Sequence, residues 1–492
     1  MKHFSKIQSE FLKLAVDWNE LSTEQQRLYL RKHPKSKRRF TAKPDKTIAD
    51  VNLLSSIISS SPFSGKAFLA GGYVRDKLLG KPSKDVDITV AAPGGGIALA
   101  NYISDKLKIR EPVIFPTFGT AKIELPSGLE VEFVQTRNEE YVRGNRKPST
   151  SFGTIQEDVE RRDFTINTLL LDLTSGKILD LTGKGLTDLE NGIIRTPLDP
   201  DITFQDDPLR MMRAVRFATK YDFKFTPEIM PAISKNADEL QNISKERIQD
   251  ELNKILVTKK PSRAFKILKD TGLLKQFIPE LLELVDLQQG KFHYTDAWNH
   301  TLDVLDHSNS TKIDRLAALL HDVGKPVKMT MVNGEPHFYE HEKASADLVD
   351  IIMRRLKYPL DEMEKVKKIV SSHMRIQNSS QWSNGAVRRF VRDMGEDLPE
   401  VINLIRADRL SHSQEHSDTS SIDRLQDRIK TMQITQPVTT VLPVTGHEIM
   451  QILNITPGPQ VGKAVSYLQE LLLEQPNMTK DEAIAHLKNM PS

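Results

Sequence analysis

Strand-like and helix-like patterns are segregated along this chain, and that segregation limits its fold more than any single motif. From Ile48 to about Asp180 the apolar residues fall in short β-rich runs, "AFLA", "DVDITV", "TAKIEL" and "LEVEFV", separated by glycine, proline and one helix-like segment from Ile97 to Lys108. After Asp188 the strand pattern is expected to vanish: "DDPLRMMRAVRFATK", "SKERIQDELNKIL" and "PSRAFKILKDTGLL" carry apolar residues at helical spacing. The expectation is an α+β protein, a small mixed-sheet head followed by an elongated, all-helical remainder. A length of 492 residues suggests roughly three or four domains. The patterns divide the chain into an N-terminal helical and basic extension (1–48), the head (49–188), a helical neck (189–285), a third domain (286–410) and a helical tail (411–492).

Composition narrows the chemistry. The formal charge is only +3, from 69 basic and 66 acidic side chains, so affinity for a polyanion must come from local patches. There is no cysteine, which excludes disulfides and thiolate metal sites and leaves His, Asp and Glu to hold any metal. No apolar run approaches the roughly 18 residues of a membrane span, and the N-terminus carries Glu10, Asp17 and Glu20 in place of a signal-peptide core, so a soluble cytoplasmic protein with no membrane partner is expected. In the extension, Ile7, Phe11 and Leu14 share a helical face, Ser22 with Gln25 suits a second helix start and Pro34 ends it. The run "RKHPKSKRRFTAK" that follows reads either as an arm on RNA phosphates or as a solvated linker.

The stretch "AGGYVRDKLLGKPSKDVDITV" concentrates the chemistry. Gly71 and Gly72 follow an apolar strand and precede a helix, where bare backbone approaches a phosphate and the helix start adds positive potential. In "DVDITV" a period of two sends Asp85 and Asp87 to one face and Val86 and Ile88 to the other. Adjacent carboxylates repel unless cations join them, and two magnesium ions about 3.5–4 Å apart would do so. A third carboxylate is expected from "LEVEFV", where Glu130 and Glu132 share a face and Glu132 is preferred. The bland alternative is a solvent face on an edge strand. The glycine turn and Arg75 in the helix that follows favour a nucleotide site.

The order "GGYVRD", "DVDIT", "RRDFTINTLLLDL" and "DDPLRMMRAVRFA", within about Ala67 to Leu274, resembles the bacterial-type (class II) tRNA nucleotidyltransferase and poly(A) polymerase family. The resemblance implies a polymerase-beta-like nucleotidyltransferase head in which Asp85 and Asp87 hold catalytic magnesium with Glu132 beside them. It also implies that the turn of Gly71, Gly72, Arg75 and Asp76 holds the triphosphate and that Arg161, Arg162 and Asp163 contact the ribose. Read as one helix, "DDPLRMMRAVRF" puts Asp207 and Arg210 on one face at i, i+3. Cytosine and adenine both present an amine beside an unprotonated ring nitrogen, so a carboxylate and a guanidinium fit C and A and mismatch U and G. The alternative is a surface salt bridge. The family motif is EDxxR, and Asp206 stands where Glu is commoner, which leaves the first acid's role open. Arg213 and Arg216 are candidates for triphosphate or RNA contacts, or solvated side chains.

A second constellation begins beyond residue 286, in "AWNHTLDVLDH", "LAALLHDVGKP", "FYEHEKASA", "SSHMRI" and "LIRADRLSH". His300, His321, Asp322 and Asp408 are N and O ligands for a divalent metal of open identity, and His341 and His373 extend the site to a second ion. The set resembles the HD phosphohydrolase superfamily, whose members hydrolyse phosphoesters or cyclic phosphates or serve as an RNA-binding body. Lys325, on the following turn, suits a bound phosphate. In the tail, "PGPQVGK" resembles the C-terminal arm of HD-bearing members, with Gly458, Gly462 and Lys463 set before a helix as RNA-phosphate contacts or as a plain helix start. "TRNEEYVRGNRKPST" holds Arg137, Arg143, Arg146 and Lys147 with Tyr141, a loop for the primer or triphosphate or a solvated one.

Together these features imply a template-independent CTP/ATP:tRNA nucleotidyltransferase that adds or repairs the 3′ CCA of tRNA. The alternatives are a poly(A) polymerase or partial CC- or A-adding enzyme, an HD metal phosphohydrolase with an RNA-binding head, and a catalytically dead RNA binder.

Overall fold

The computed structural model describes residues 46–83, 85–116, 119–140, 149–290, 295–376, 379–413, 417–432 and 441–490. They form two compact units, one ending at Asn242 and the other beginning at Ile243. The helices and basic run expected before Lys46, and Tyr141, Arg143, Arg146 and Lys147, lie outside the described residues.

The first unit holds a seven-stranded sheet that includes β1 (Ala67–Ala70), apolar and buried along its whole length. The other members are β2 (Val86–Val90), β3 (Val113–Phe115), β4 (Thr120–Glu124) and β5 (Glu130–Gln135), while β6 (Arg137–Glu140) and β7 (Ser149–Phe152) pair with each other as a separate ribbon. With β8 (Leu170–Asp172) and β9 (Ile178–Leu179) the order is β3-β4-β5-β2-β1-β8-β9. β2 runs antiparallel to β1 but parallel to β5. A parallel neighbour needs a crossover. Helix α3 (Gly95–Leu107) lies in that connection and buries Leu99, Ala100 and Ile103.

Two further helices flank the start of this sheet. Helix α1 (Lys46–Ser59) carries buried Val51, Leu54 and Ile58 on one face, a spacing hidden in a segment whose surroundings read as strand-rich. Helix α2 (Gly72–Leu78) opens directly from β1 through Gly71. Downstream come α4 (Ile155–Glu160), held by a reciprocal capping box between Thr154 and Glu157, then α5 (Pro200–Asp206) and α6 (Leu209–Tyr221).

Three sequence expectations need correction. The segment from Asp206 onward is not one helix, because Pro208 disfavours helical backbone at Asp207 and the chain breaks there, with Asp207 extended at φ −144° and ψ 99°. Strands do not vanish after Asp188: β10 (Ile193–Ile194) pairs with β11 (Lys224–Phe225), and β12 (Thr330–Val332) pairs with β13 (Glu335–His337). The second pair is a hairpin whose tip, Asn333 and Gly334, has φ of 52° and 80°, the both-positive turn that Asn-Gly favours. Gly462 and Lys463 do not precede the tail helix but lie inside it, since Pro459 starts that helix at its first position.

The second unit is otherwise helical. Helices α7 (Ala297–His307), α8 (Lys312–Leu320), α9 (His341–Arg355), α10 (Leu360–Ser372) and α11 (Leu398–Leu410) bury Leu302, Leu305, Leu316, Leu319, Val366 and Ile369. Toward the C-terminus α12 (Pro459–Glu474) packs Ala464, Leu468 and Leu472 in a cluster with Ile449 and Leu487. Among the described residues no helix is long and apolar enough to cross a membrane.

The crossover packs directly against sheet backbone at Gly96. A Cβ there would lie 2.8 Å from the Gly119 carbonyl and 2.9 Å from the Gln135 nitrogen and the Phe133 carbonyl, all rigid backbone. Gly96→Ala should therefore destabilise the protein by about 1–3 kcal/mol, read as a lower urea midpoint. An unchanged midpoint would show that α3 can move off the sheet.

Candidate active sites

The acidic face of the first unit is built by two parallel strands in register. Asp87 on β2 is the partner of Glu132 on β5, and Asp85, exposed, sits just before β2 begins. Glu130 instead pairs with Lys122 at 2.7 Å. Burial first, and then the charge of Glu132, push the Asp87 carboxyl up from 3.8 to about 6; Arg162 opposes the rise and Asp85 adds to it. Crowded oxygen ligands of this kind fit a hard divalent cation.

Arg162 borders the same face. It donates to Thr89 Oγ1 at 3.2 Å and to the Asn167 carbonyl at 3.4 Å, and Thr89 shares the strand face of Asp87. Its remaining bonds run to Asp158 Oδ2 at 2.8 and 3.2 Å, while Arg161 takes Asp158 Oδ1 at 2.6 Å. Burial raises the Asp158 carboxyl, but the two guanidinium groups outweigh it and hold it below the usual range. Gly71, at φ +62°, leaves room for this arginine: a Cβ there would stand 3.4 Å from Arg162 Nη1.

Other expected nucleotide ligands are engaged within the protein. Arg75 is buried, bonded to Asp76 at 2.9 Å and to Asn167, with its guanidinium 5.0 and 4.9 Å from the Phe217 and Tyr221 ring centres. Asp76 also accepts from the Tyr221 hydroxyl at 2.7 Å, so both residues tie α2 to α6. Asp163 is buried and accepts from Asn167 at 2.8 Å and from Arg213 at 2.6 and 2.9 Å. Arg216 is buried with its guanidinium 4.2 Å from the Phe217 ring centre.

The break at Pro208 reshapes the expected base-reading pair. Asp207 accepts from the Leu209 amide at 3.2 Å at the start of α6. Arg210 is buried and donates to the Thr203 carbonyl at 3.2 Å and the Arg161 carbonyl at 2.6 Å. Those two bonds fix the guanidinium in direction, and they join it to the backbone of the Arg161–Arg162 segment.

In the second unit the structure brings all six expected ligands together. His300 lies on α7, His321 and Asp322 follow α8, His341 opens α9, His373 follows α10 and Asp408 lies on α11. His300 Nε2 is 3.0 Å from Asp408 Oδ1 and 3.7 Å from Asp322 Oδ2. His321 Nε2 is 3.1 Å from Asp322 Oδ2, and His341 Nε2 is 3.2 Å from Asp322 Oδ1 and 3.3 Å from His373 Nε2. Asp322 thus faces two groups of histidines, one with each oxygen.

Backbone carbonyls orient the rings. Nδ1 of His321, His341 and His373 meets the carbonyls of Ala318, Phe338 and Val370 at 2.8, 2.8 and 2.6 Å. A carbonyl only accepts, so each Nδ1 carries a proton, and in the neutral ring each Nε2 turns a lone pair into the cluster. His321 Nε2 is buried with no hydrogen-bond partner although Asp322 Oδ2 stands beside it, an arrangement a divalent ion would satisfy. Lys325 Nζ stands 2.6 Å from Asp322 Oδ2. Burial and the neighbouring His321 and His341 push His373 down to about 3, which keeps it neutral as a metal ligand must be.

Known proteins resemble this chain in both units. Residues 67–195 match the family model described as the poly A polymerase head domain, 222–284 the probable RNA and SrmB-binding site of polymerase A, and 298–414 the HD domain. The A-adding tRNA nucleotidyltransferase of Deinococcus radiodurans is 30% identical over 433 residues, covering 83% of this chain and 92% of its own. The CC-adding tRNA nucleotidyltransferase of Thermus thermophilus is 30% identical over 436 residues, covering 86% and 93%. The chain belongs to the tRNA nucleotidyltransferase family. The crystal structure of the Bacillus stearothermophilus CCA-adding enzyme in complex with CTP has the same fold, with a TM-score of 0.66 at 23% identity over 91% of this chain and 98% of that one. Membership makes the protein a transferase, and its two domain types imply use of divalent metal.

Sequence reasoning missed Asp158, Thr89, Asn167 and Tyr221. Asp158 had a signal: it stands three and four residues before Arg161 and Arg162, the helical spacing of an ion pair. Tyr221 had none, because its contact with Asp76 spans 145 residues.

Two tests follow from this geometry. Folded Asp87 holds its proton up to about pH 6 and the unfolded chain only to 3.8, so the native state binds more protons between these values. In chelator, stability should therefore fall as pH rises through that window, and Asp87→Asn should remove this part of the slope. Equal slopes in urea titrations of the two proteins would contradict it. Manganese at about 100 times its dissociation constant should stabilise the second unit by roughly 2.7 kcal/mol, and His321→Ala should reduce that gain sharply in calorimetry.

Proposed function

We propose that this protein is a CTP/ATP:tRNA nucleotidyltransferase that builds or repairs the complete 3′ CCA end without a nucleic-acid template. The observation that carries the reading is the acidic face of Asp85, Asp87 and Glu132 with Arg162 alongside it. The 3′ hydroxyl oxygen of the RNA bonds to the α-phosphorus as the bond from that phosphorus to the α–β bridging oxygen breaks. The hydroxyl proton departs, with Glu132 placed to receive it, and pyrophosphate leaves. Magnesium held by Asp85 and Asp87 would lower the pKa of the attacking hydroxyl and neutralise the leaving group. Gly71 and Gly72 give the triphosphate a close backbone approach, Arg161 and Arg162 sit on the ribose side, and positioning does most of the work. Arg75, Asp76 and Asp163 act by holding these parts in place, and Arg213 and Arg216 support them from α6.

Base choice rests on Asp207 and Arg210. An anchored guanidinium keeps three of its five N–H donors for other partners, and in a buried site each mismatch leaves polar groups unpaired. The pair reads C and A alike, which favours the full CCA activity over the A-adding or CC-adding activities named for the two relatives. Gly458, Gly462 and Lys463, exposed at the start of α12, are proposed phosphate contacts for the tRNA. The cytoplasmic location is proposed on the same ground, tRNA being the substrate.

For the second unit we propose a phosphohydrolase. Water oxygen bonds to phosphorus, the ester P–O bond breaks, and the leaving alkoxide takes up the proton that water gives up. Divalent metal held by His300, His321, Asp322 and Asp408, with His341 and His373 at a second position, would supply a nucleophilic water at neutral pH. Lys325 lies beside Asp322 to meet the phosphate.

The test incubates pure protein with labelled CTP, labelled ATP and tRNA lacking its last three nucleotides. Addition of C, C and A is expected; long A tails, or C alone or A alone, would overturn the assignment. Replacing Asp85 and Asp87 with Ala should cut addition by about 10³-fold or more. Arg210→Ala should lower kcat/KM for CTP and ATP by roughly 10²-fold while UTP and GTP fall far less, narrowing the selectivity.

A further inference from the structure

We propose that Tyr339, stacked on His337, is a base-binding platform at the HD cavity, selecting nucleoside phosphate esters over small phosphate esters. This inference rests on the phosphohydrolase reading of the second unit.

The cavity has a volume of about 810 Å³, and its lining includes Asp322, His341, His373 and Asp408 together with His337 and Tyr339. A phosphate group fills only a small part of such a space, whereas a nucleotide is of the size that pockets of roughly 300–1,000 Å³ enclose. The rings of His337 and Tyr339 lie 5.4 Å apart and 12° from parallel. Tyr339 remains 67% exposed, so its ring contributes little to the core while one aromatic neighbour holds its plane. An aromatic face of fixed orientation beside a phosphate-directed site is the surface on which bases stack.

The backbone holds this platform close to the metal-facing histidines. The tight Asn333–Gly334 turn closes β12 onto β13, which ends at His337. The Phe338 carbonyl then accepts from both the His341 amide, at 3.2 Å, and His341 Nδ1, at 2.8 Å. Between them Glu340 adopts φ +60° and ψ 25°, left-handed backbone that a non-glycine residue seldom takes. That turn lets Tyr339 and His341, two residues apart, line one cavity. An aromatic base joined to a phosphate ester, as in a nucleoside 3′-phosphate or the end of an RNA, suits a cavity lined both by an aromatic face and by the His and Asp cluster, and Arg409 and Lys325 add positive charge to the same lining.

The test uses the full chain loaded with manganese and two monoesters of secondary alcohols, adenosine 3′-monophosphate and glycerol 2-phosphate. Tyr339→Ala should raise KM for adenosine 3′-monophosphate by roughly 5- to 100-fold, with glycerol 2-phosphate changing less than about twofold, and Tyr339→Phe should retain the wild-type KM. An equal loss on both esters, or no change on the nucleotide, would overturn the platform. If the wild type hydrolyses neither ester, the hydrolase reading fails by itself. The platform is then read by calorimetric binding of adenosine 3′-monophosphate with CTP present to fill the first unit: weaker binding by Tyr339→Ala supports it, and equal affinity overturns it.

Discussion

Two carboxylates on neighbouring parallel strands repel each other, and the sheet of the first unit nonetheless fixes Asp87 beside Glu132. Much else in that unit serves this one electrostatic arrangement. The strands are parallel, so the connection between them must cross over, and α3 is pressed close enough to the sheet that Gly96 admits no side chain. β2 buries Val86, Ile88 and Val90 on one face, which leaves its other face no choice but to carry the acids. Arg162 tempers the repulsion without ending it, being largely committed to Asp158. What remains is a site that favours a proton or a metal ion, which is the property nucleotidyl transfer requires of it.

The second unit reaches a comparable state by different chemistry. Its buried histidines are oriented by backbone carbonyls, so their Nε2 atoms converge on Asp322 and His321 Nε2 is left without a hydrogen-bond partner inside the protein. Both sites carry local electrostatic cost that the surrounding apolar packing offsets, and in both the crowded oxygen and nitrogen ligands suit a divalent cation. The supporting shell is as specific as the ligands. Asp158 holds two arginines apart, Asp163 anchors Arg213, and Arg75 links α2 to two aromatic rings of α6.

Much of this was legible in the residues. Period-two alternation placed Asp87 and Glu132 on polar faces, and the glycine pair marked the passage from β1 into α2. The six clustered His and Asp residues of the second unit were readable because His and Asp next to apolar helical runs are chemically distinctive. What escaped was either short or long-range. The hairpin of β12 and β13 is three residues a side, too brief for a pattern although Asn333–Gly334 announces it, and the break at Asp207 follows from a single proline inside an apparently continuous helix. Nothing local marks Arg75 as a packing residue, since its burial against Phe217 and Tyr221 depends on residues more than a hundred positions away.

By itself the sequence determined which side chains could share a face, because alternation and helical period are local consequences of backbone geometry. It also determined that metal, if present, would rest on oxygen and nitrogen. Only the tertiary structure decided that Asp87 stands opposite Glu132, that Arg210 hangs from the carbonyls of Thr203 and Arg161, and that His341 and Tyr339 open onto one cavity. The reason is register. A one-residue slip between β2 and β5 would leave every local pattern unchanged and turn Glu132 to the other face, and what forbids it is the burial of Val131 and Phe133 against the rest of the fold.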